Sequence, residues 1–223
     1  MTPADLSLSR SLVTIDGRDG SGKSTFARAL ADACEREGAP AHVFHVDDFR
    51  RPLGALPEGA DEASAYYQRY FDFALLDACL ARFLGGAASV SIPRFDAGRE
   101  VVDGTLELHF EGARLAFLEG VFPLRAPTAA AAPLVLLEVS ETEARRRVLA
   151  RDFARGRPRD LIEHRMDKRY FPAQRAYRGS FDPLRRADVV VDNESWERPR
   201  LVRLLDGRLP WVVEKALGTI IRP

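Results

Sequence analysis

The sequence constrains its fold most strongly at residues 17–25, which read Gly-Arg-Asp-Gly-Ser-Gly-Lys-Ser-Thr. This stretch fits the phosphate-binding loop pattern G-x-x-x-x-G-K-[ST] in full. An apolar run at residues 12–15 precedes it, and residues 26–34 follow with apolar side chains at helical spacing. The loop is therefore expected between a strand and a helix, where backbone N–H groups and a helix N-terminus bind phosphate oxygens.

Each residue type in this loop fits a role in binding nucleotide phosphates. Its glycines let the backbone wrap with N–H groups pointing inward. Lys23 is a candidate catalytic residue because it places a compact charge beside the outer phosphates, and the Ser24 hydroxyl is a natural Mg²⁺ ligand. The alternative is a glycine-rich turn with an accidental lysine. The candidate phosphate-binding residues are Gly17, Asp19, Gly20, Ser21, Gly22, Lys23, Ser24 and Thr25.

Composition limits the class of protein. The chain has 223 residues, a formal net charge of zero, 46% hydrophobic and 30% charged residues, which favours one globular domain over residues 1–223. Neutrality argues against a protein built mainly to hold nucleic acid. No apolar stretch is long enough to span a bilayer, so no membrane partner is expected. Cys34 and Cys79 are expected to be reduced core thiols in a cytoplasmic protein.

Further strands and helices alternate after the loop. Strands are predicted at residues 42–46, 90–92, 114–118, 134–139 and 187–192, and helices at residues 63–84 and 141–153. Asp103-Gly104 lies between two alternating runs and predicts a hairpin turn. Alternating strands and helices imply βαβ units and a mainly parallel sheet. The expected fold class is therefore α/β, a three-layer P-loop NTPase fold with a small β-hairpin.

Acidic residues recur where the predicted strands end. Asp47, Asp48, Asp96 and Glu119 hold such positions, and the carboxyl ends of strands line the ligand crevice of open α/β sheets. Asp47 or Asp48 suits a general base that accepts a proton from a hydroxyl, and Glu119 suits a role in orienting Mg²⁺. The alternative is that these acids cap helices or face solvent in turns.

The segment 145–186 is rich in arginine. Residues 155–159, Arg-Gly-Arg-Pro-Arg, predict a flexible corner between two helices. An arginine-rich helical lid over bound phosphates would neutralise developing charge and exclude water. The alternative is a solvated basic face. Three tyrosines at 66, 67 and 70 could stack on a planar base, although their helical spacing is also typical of a core.

Taken together, these motifs resemble the uridine kinase and phosphoribulokinase group of P-loop kinases. The phosphate loop alone indicates nucleotide binding, and its combination with Asp47-Asp-Phe49 and with residues 187–193 points to this group. The resemblance covers residues 13–199. Its carriers are residues 15–25, 46–52, 92–96, 118–122, 147–157, 169–177 and 187–193.

The resemblance implies a role for each matching residue. Asp47 matches a catalytic base toward a sugar 5′-hydroxyl, and Asp72 matches weakly a carboxylate that holds ribose hydroxyls. Phe95 and Asp96 match a tyrosine–aspartate pair near a nucleoside base. The histidine that follows this pair in uridine kinases is replaced here by Gly98-Arg99, so Arg99 is a candidate substrate-binding residue. The matched lid residues are Arg147 and Arg157 for the nucleotide and Arg151 for catalysis.

The function that the resemblance implies is a cytoplasmic kinase using ATP and Mg²⁺. It would transfer the γ-phosphate to a hydroxyl of a small molecule, most favourably the 5′-hydroxyl of uridine or cytidine. Other acceptors known in the group stay open, namely pantothenate, nicotinamide riboside, and sugar or glycerate derivatives. So do a regulatory P-loop NTPase without an acceptor and a binding protein that has lost phosphotransfer. Relatives in this group often assemble, so a homo-oligomer is a further expectation.

Overall fold

A six-stranded sheet forms the middle layer of the computed structural model, which describes residues 9–221. Its strand order is β2–β5–β1–β6–β7–β8, in which the first five strands are parallel and β8 is antiparallel to β7. A separate two-stranded antiparallel hairpin joins β3 and β4. The strands are β1 (Ser11–Gly17), β2 (Ala41–His45), β3 (Ser89–Asp96), β4 (Val101–His109), β5 (Leu115–Glu119), β6 (Leu134–Glu138), β7 (Val189–Asp192) and β8 (Arg200–Leu204).

Helices cover both faces of this sheet. Alternate side chains of β1 point to opposite faces, as the period of a strand requires: Val13 and Ile15 pack with α1 and α9, and Leu12 packs with α3 and α4. This arrangement is the expected three-layer α/β fold. The helices are α1 (Lys23–Arg36), α2 (Glu62–Arg69), α3 (Phe73–Leu84), α4 (Pro127–Ala131), α5 (Glu141–Ala154), α6 (Arg159–Arg165), α7 (Phe171–Phe181), α8 (Pro183–Arg186) and α9 (Trp211–Ile220).

The single helix predicted over residues 63–84 is wrong, because two helices occupy this stretch. Phe71 between them pairs with Arg50 in an isolated β-bridge. Asp72 then caps α3, its Oδ1 accepting a hydrogen bond from the Leu75 N–H at 2.9 Å. Aspartate satisfies an unpaired N–H at a helix start, so α3 begins afresh after the bridge.

The hairpin turn predicted at Asp103-Gly104 is also wrong. Both residues lie inside β4, and the chain reverses over residues 97–100 between β3 and β4. Gly104 has a φ of 81° and faces a register shift between Pro93 and Phe95. A glycine with positive φ is typical of a β-bulge as well as of a turn, which is why the dipeptide indicated the wrong feature.

The predicted lid segment divides into two parts. Helices α5 and α6 and a π-helical turn, Met166–Tyr170, share a small apolar core of their own that includes Val148, Ile162 and Met166. Helix α7 instead packs on the main sheet through Ala173 and Tyr177. The part that can cover a ligand therefore ends near Tyr170, and the corner predicted at 155–159 does separate two helices, α5 and α6.

Two further features bear on the expectations from composition. Cys34 and Cys79 are both free and buried, which confirms the prediction of core thiols. None of the helices within residues 9–221 has the length and apolar composition that crossing a membrane requires.

Strand β8 and helix α9 were missed by the sequence reasoning. Strand β8 lies at one edge of the sheet, and α9 packs on α1.

Candidate active site

The phosphate-binding loop links the end of β1 to the start of α1, at the carboxyl edge of the sheet. Gly20 and Gly22 have φ angles of 79° and 89°, which only glycine adopts readily. A Cβ on Gly20 would also lie 2.5 Å from the carbonyl oxygen of Ala144 on α5. The loop therefore needs glycine at this position both for its conformation and for its contact with the lid helix.

Lys23 and Ser24 open α1 with their side chains turned to the loop and to β5. The Lys23 side chain is buried, and its Nζ donates a hydrogen bond to the Arg18 carbonyl oxygen at 2.9 Å. Ser24 Oγ donates to Glu119 Oε1 at 2.9 Å. The serine hydroxyl and the glutamate predicted as metal ligands thus lie side by side.

Glu119 is further held by a residue that sequence reasoning did not select. His45 ends β2 directly opposite Glu119 in the parallel register, and its Nδ1 lies 2.5 Å from Glu119 Oε1. Burial alone would raise the pKa of Glu119, but the His45 hydrogen bond and the Lys23 charge lower it overall. Glu119 in turn raises the pKa of His45.

These groups fit Mg²⁺ by their chemistry. A hydroxyl and a carboxylate are hard oxygen ligands, and Mg²⁺ bound with nucleotide takes few ligands from protein. Within residues 9–221, no group of three or more His, Cys, Asp or Glu side chains could hold a metal alone. A metal beside Ser24 and Glu119 would therefore complete its coordination with phosphate oxygens and water.

A cavity of about 470 Å³ lies over the loop, and we call it the P-loop cavity. It brings together ten of the residues predicted from sequence to act on phosphates, metal or hydroxyl. They are Asp19, Gly20, Gly22, Lys23, Ser24, Thr25, Asp47, Glu119, Arg147 and Arg151. Asp47 is exposed in a short 3₁₀ turn after β2. Asp48, the alternative base, is not part of the cavity lining.

A second cavity, of about 110 Å³, adjoins the first, and we call it the arginine cavity. The two share a junction formed by Asp19, Asp47, Val121, Arg151 and Arg155. Asp47 therefore borders both spaces. The remaining lining comes from the end of the 3₁₀ turn after β2, from α2 and its C-terminal end, from the residue 97–100 reversal and from the lid. These residues are Arg50, Tyr66, Tyr70, Ala97, Glu100, Arg157, Arg165, Arg169 and Tyr170.

Helix α7 contacts the phosphate-binding loop and the end of β1 through two side chains, Gln174 and Tyr177. Gln174 makes a paired contact with Asp19, in which its Nε2 donates to Asp19 Oδ2 at 3.0 Å and its Oε1 accepts from the Asp19 N–H at 3.2 Å. Tyr177 donates its hydroxyl to Asp16 Oδ2 at 2.6 Å. Burial raises the pKa of both aspartates. Sequence reasoning could not find these two contacts, because α7 lies more than 150 positions after the loop.

The predicted lid arginines are positioned by protein groups. Arg147 donates from Nη2 to the carbonyl oxygens of Asn193 and Glu194 at 2.9 and 2.8 Å, so it ties α5 to the loop after β7. Arg151 and Arg157 both donate to the buried carboxylate of Asp152, at 2.8 and 2.7 Å. Asp152 thus fixes two guanidinium groups that line the arginine cavity.

The four predicted substrate-binding residues are not part of either cavity lining. Asp72 caps α3 and pairs with Arg51. Asp96 and Arg99 bind each other on the exposed hairpin, at 2.8 Å between Oδ2 and Nε. Phe95 lies just behind the arginine cavity, where Arg50 and Tyr70 contact its ring.

A third cavity, of about 500 Å³, adjoins the P-loop cavity, with which it shares Gly20, Gly22, Thr25 and Arg147, and is mainly apolar. We call it the Trp196 cavity, since it is bounded by the exposed indole of Trp196. Asn193 also borders it and donates from Nδ2 to the Ser21 carbonyl oxygen at 2.7 Å. Trp196 is another residue that sequence reasoning missed, although it directly follows the Asn193-Glu-Ser segment.

Two solved structures similar to this chain are described as kinases. One is a possible uridine kinase from Bacillus stearothermophilus, with a TM-score of 0.64 and 24% identity over 82% of this chain and 89% of that chain. Another is a proposed fructose transport system kinase from Silicibacter sp. TM1040, with a TM-score of 0.62 and 27% identity over 80% of this chain and 88% of that chain. This chain shares the three-layer α/β fold of both structures.

The sequence comparisons add no assignment. No protein-family model matches the chain, and no curated protein matches it. The two similar structures confirm the expected fold class. None of the comparisons identifies a substrate.

Proposed function

We propose that this protein is an ATP-dependent kinase that transfers the γ-phosphate to a hydroxyl group of a small molecule. The observation that carries the proposal is the junction between the P-loop cavity and the arginine cavity, where Asp47 and Arg151 border both spaces. A phosphate-binding loop next to a second, separate pocket suits transfer between two bound molecules. Both similar structures named above are also described as kinases.

Five groups that line the P-loop cavity have defined parts in this reaction. Asp47 accepts the proton of the acceptor hydroxyl, whose oxygen forms a bond to the γ-phosphorus while the bond from that phosphorus to the β–γ bridging oxygen breaks and ADP leaves. Lys23 and Arg151 offset charge on the transferring group. Ser24 and Glu119 would hold Mg²⁺, which when bound neutralises phosphate charge.

The nucleotide base has a natural place in the Trp196 cavity. This cavity begins at Gly20 and Gly22 of the loop and continues to Asn193 and Trp196. A planar base stacks favourably on an aromatic ring and on apolar walls. ATP phosphates on the loop would therefore leave the base beside the indole.

Uridine and cytidine are the acceptors that the sequence resemblance favours. The tyrosine faces expected for base stacking are only partly available, because Tyr66 contacts Tyr70 and Tyr170 with ring centroids 5.2 and 5.3 Å apart. A nucleoside acceptor would also have to use Phe95, which lies behind Arg50 and Tyr70. We therefore propose phosphorylation of a small-molecule hydroxyl and treat nucleosides as one class of acceptor to be tested.

Replacing Asp47 with Asn tests the proposed base. Phosphotransfer should fall by about 10²- to 10⁴-fold, the usual contribution of general base catalysis, while ATP binding is retained. Asp48→Asn is the matched control, since it removes the neighbouring carboxylate that does not line the cavities. Coupled ADP release and calorimetric titration with ATP measure the two properties. Equal loss in both variants, or no loss in either, would remove Asp47 as the base.

A further inference from the structure

The charge of the arginine cavity is uneven. In the part that is not shared with the P-loop cavity, four arginines line the wall together with one acid, Glu100. Two acids outside the cavity lining offset part of this positive charge. Asp152 accepts a hydrogen bond from Arg157, and Glu62 Oε2 accepts one from Arg169 Nε at 2.5 Å. These four arginines are Arg50, Arg157, Arg165 and Arg169.

Arg165 is the least satisfied of these groups. Its Nε is buried and has no hydrogen-bond partner among the described residues. Its one recorded ion pair is long, at 3.6 Å between Nη2 and Glu100 Oε1. A buried guanidinium nitrogen without an acceptor is costly. The buried Nε is out of reach of a ligand, but Arg165 lines the cavity, so an anionic ligand oxygen there would accept hydrogen bonds from its terminal nitrogens, whose one ion-pair partner is the distant Glu100.

Arg50 and Arg169 lie in the same wall and are held mainly through their Nε atoms. Arg50 donates from Nε to the Asp47 carbonyl oxygen at 2.6 Å, and Arg169 donates from Nε to Glu62. An arginine fixed in this way can direct its terminal nitrogens toward a carboxylate or phosphate, with which the planar guanidinium forms paired hydrogen bonds.

The inner end of the cavity lacks this excess of positive charge. Two acids, Asp19 and Asp47, border the junction with the P-loop cavity together with two arginines, Arg151 and Arg155, so the outer wall attracts an anionic ligand group more strongly than this inner end. A hydroxyl is favoured there because it can donate a hydrogen bond to a carboxylate. The cavity volume of about 110 Å³ is also below the range of about 300 to 1,000 Å³ usual for drug-sized ligands.

We propose that the acceptor is a small hydroxyl compound carrying a carboxylate or phosphate group, with its anion bound by Arg165 together with Arg50 and Arg169 and its hydroxyl beside Asp47. This inference rests on the proposed function and narrows its acceptor from any small hydroxyl compound to one that carries an anionic group. The transferred group and the leaving ADP are those of the reaction above; the acceptor anion takes no part in bond making and only orients the hydroxyl.

Calorimetric titration of the Mg·ADP-loaded protein with matched ligand pairs tests this directly. The pairs are D-glycerate against glycerol, and ribose 5-phosphate against ribose, so that each pair differs in its anionic group and the two pairs distinguish carboxylate from phosphate. We expect at least tenfold tighter binding of the anionic member in one or both pairs, at constant ionic strength. Equal affinity within both pairs, or binding by none of the four compounds, would overturn the proposal.

Substitutions in the lid test whether Arg165 causes the preference for anionic ligands. Arg165→Gln should reduce the preference for the anion at least tenfold and leave ATP affinity unchanged, and Arg165→Lys should restore part of it. Lys168→Gln is the matched control, because it removes an exposed charge three residues further along the lid, in the π-helical turn that follows α6 and outside the cavity lining. An anion preference that survives Arg165→Gln, or that Lys168→Gln reduces equally, would contradict the assignment.

Turnover measurements separate this inference from the proposed function. Uridine-dependent ADP release without any preference for anions would retain the kinase and overturn the anionic acceptor. Preferential binding of an anion whose hydroxyl is never phosphorylated would support the anion site and count against phosphotransfer.

Discussion

Two glycines have nearly the same backbone angle and very different surroundings. Gly20 has a φ of 79° and Gly38 a φ of 77°. A Cβ on Gly38 would meet no atom within 4 Å, whereas one on Gly20 would lie 2.5 Å from the Ala144 carbonyl oxygen. The pair therefore separates the cost of a left-handed conformation from the cost of a steric clash.

Gly38→Ala should lower the free energy of unfolding by about 1 to 2 kcal/mol, the cost of placing a side chain in the left-handed region. Gly20→Ala should lower it further and weaken ATP binding at least tenfold, since the loop must move away from α5. Urea denaturation and titration with ATP measure these effects. If the two variants lose equal stability and both bind ATP normally, the contact with Ala144 does not shape the loop.

Individual site residues were predictable where a local pattern carries the chemistry. Lys23 and Ser24 follow from the loop pattern, and Asp47 and Glu119 follow from acids at strand ends, and all four line the P-loop cavity. His45 could not be found in this way, because its contact with Glu119 depends on β2 lying next to β5. Arg165 was one arginine among many until the cavity and its unsatisfied nitrogen set it apart.

At the level of elements, the corner between α5 and α6 depends on one buried carboxylate. Asp152 accepts hydrogen bonds from Arg151 in α5 and from Arg157 within the corner. Burial alone would raise its pKa, but the two arginines outweigh this effect and lower it below the ordinary value of 3.8. Asp152 therefore stabilises the folded state when it is ionised.

Asp152→Asn should lower the free energy of unfolding by about 1 to 3 kcal/mol at pH 7, the usual range for charged hydrogen bonds. Because the folded-state pKa is depressed, the stabilisation is complete well above pH 3.8 and is lost as pH falls through the lower folded value. The difference between wild type and variant should shrink accordingly in urea denaturation below pH 4. The exposed Asp160→Asn provides a control, and an equal, pH-independent change in both would contradict this role of Asp152.

The elements that sequence patterns misplaced are those set by tertiary contacts. Residues 63–84 have helical spacing throughout, but the bridge between Arg50 and Phe71 interrupts them. Asp103-Gly104 has the composition of a turn and forms a bulge, because β3 pairs with β4 around it. The predicted strands of the main sheet were correct to within one or two residues. The apolar runs of β1, β5 and β6 are almost entirely buried, as in a sheet covered on both faces.

At the scale of the whole molecule, the site is assembled from segments that only the fold brings together. Strand order β2–β5–β1 places Asp47, Glu119 and the loop at one edge. Helix α7 then connects this edge to the lid, with Gln174 on the loop and Tyr170 at the arginine cavity. The fold class could be predicted from the loop and the alternation of elements, but the acceptor cavity could not, since its arginines come from three separate parts of the chain.

Phosphotransfer to a small-molecule hydroxyl can be measured as acceptor-dependent turnover of Mg·ATP. ADP release should be followed with D-glycerate, ribose 5-phosphate, pantothenate, uridine and cytidine, each with phosphorus NMR of the products. We expect at least one of these compounds to increase ADP release above the basal rate and to give a matching phosphate ester. An unchanged basal rate with every acceptor and no phosphorylated product would contradict the proposed phosphotransfer and would indicate a regulatory NTPase instead.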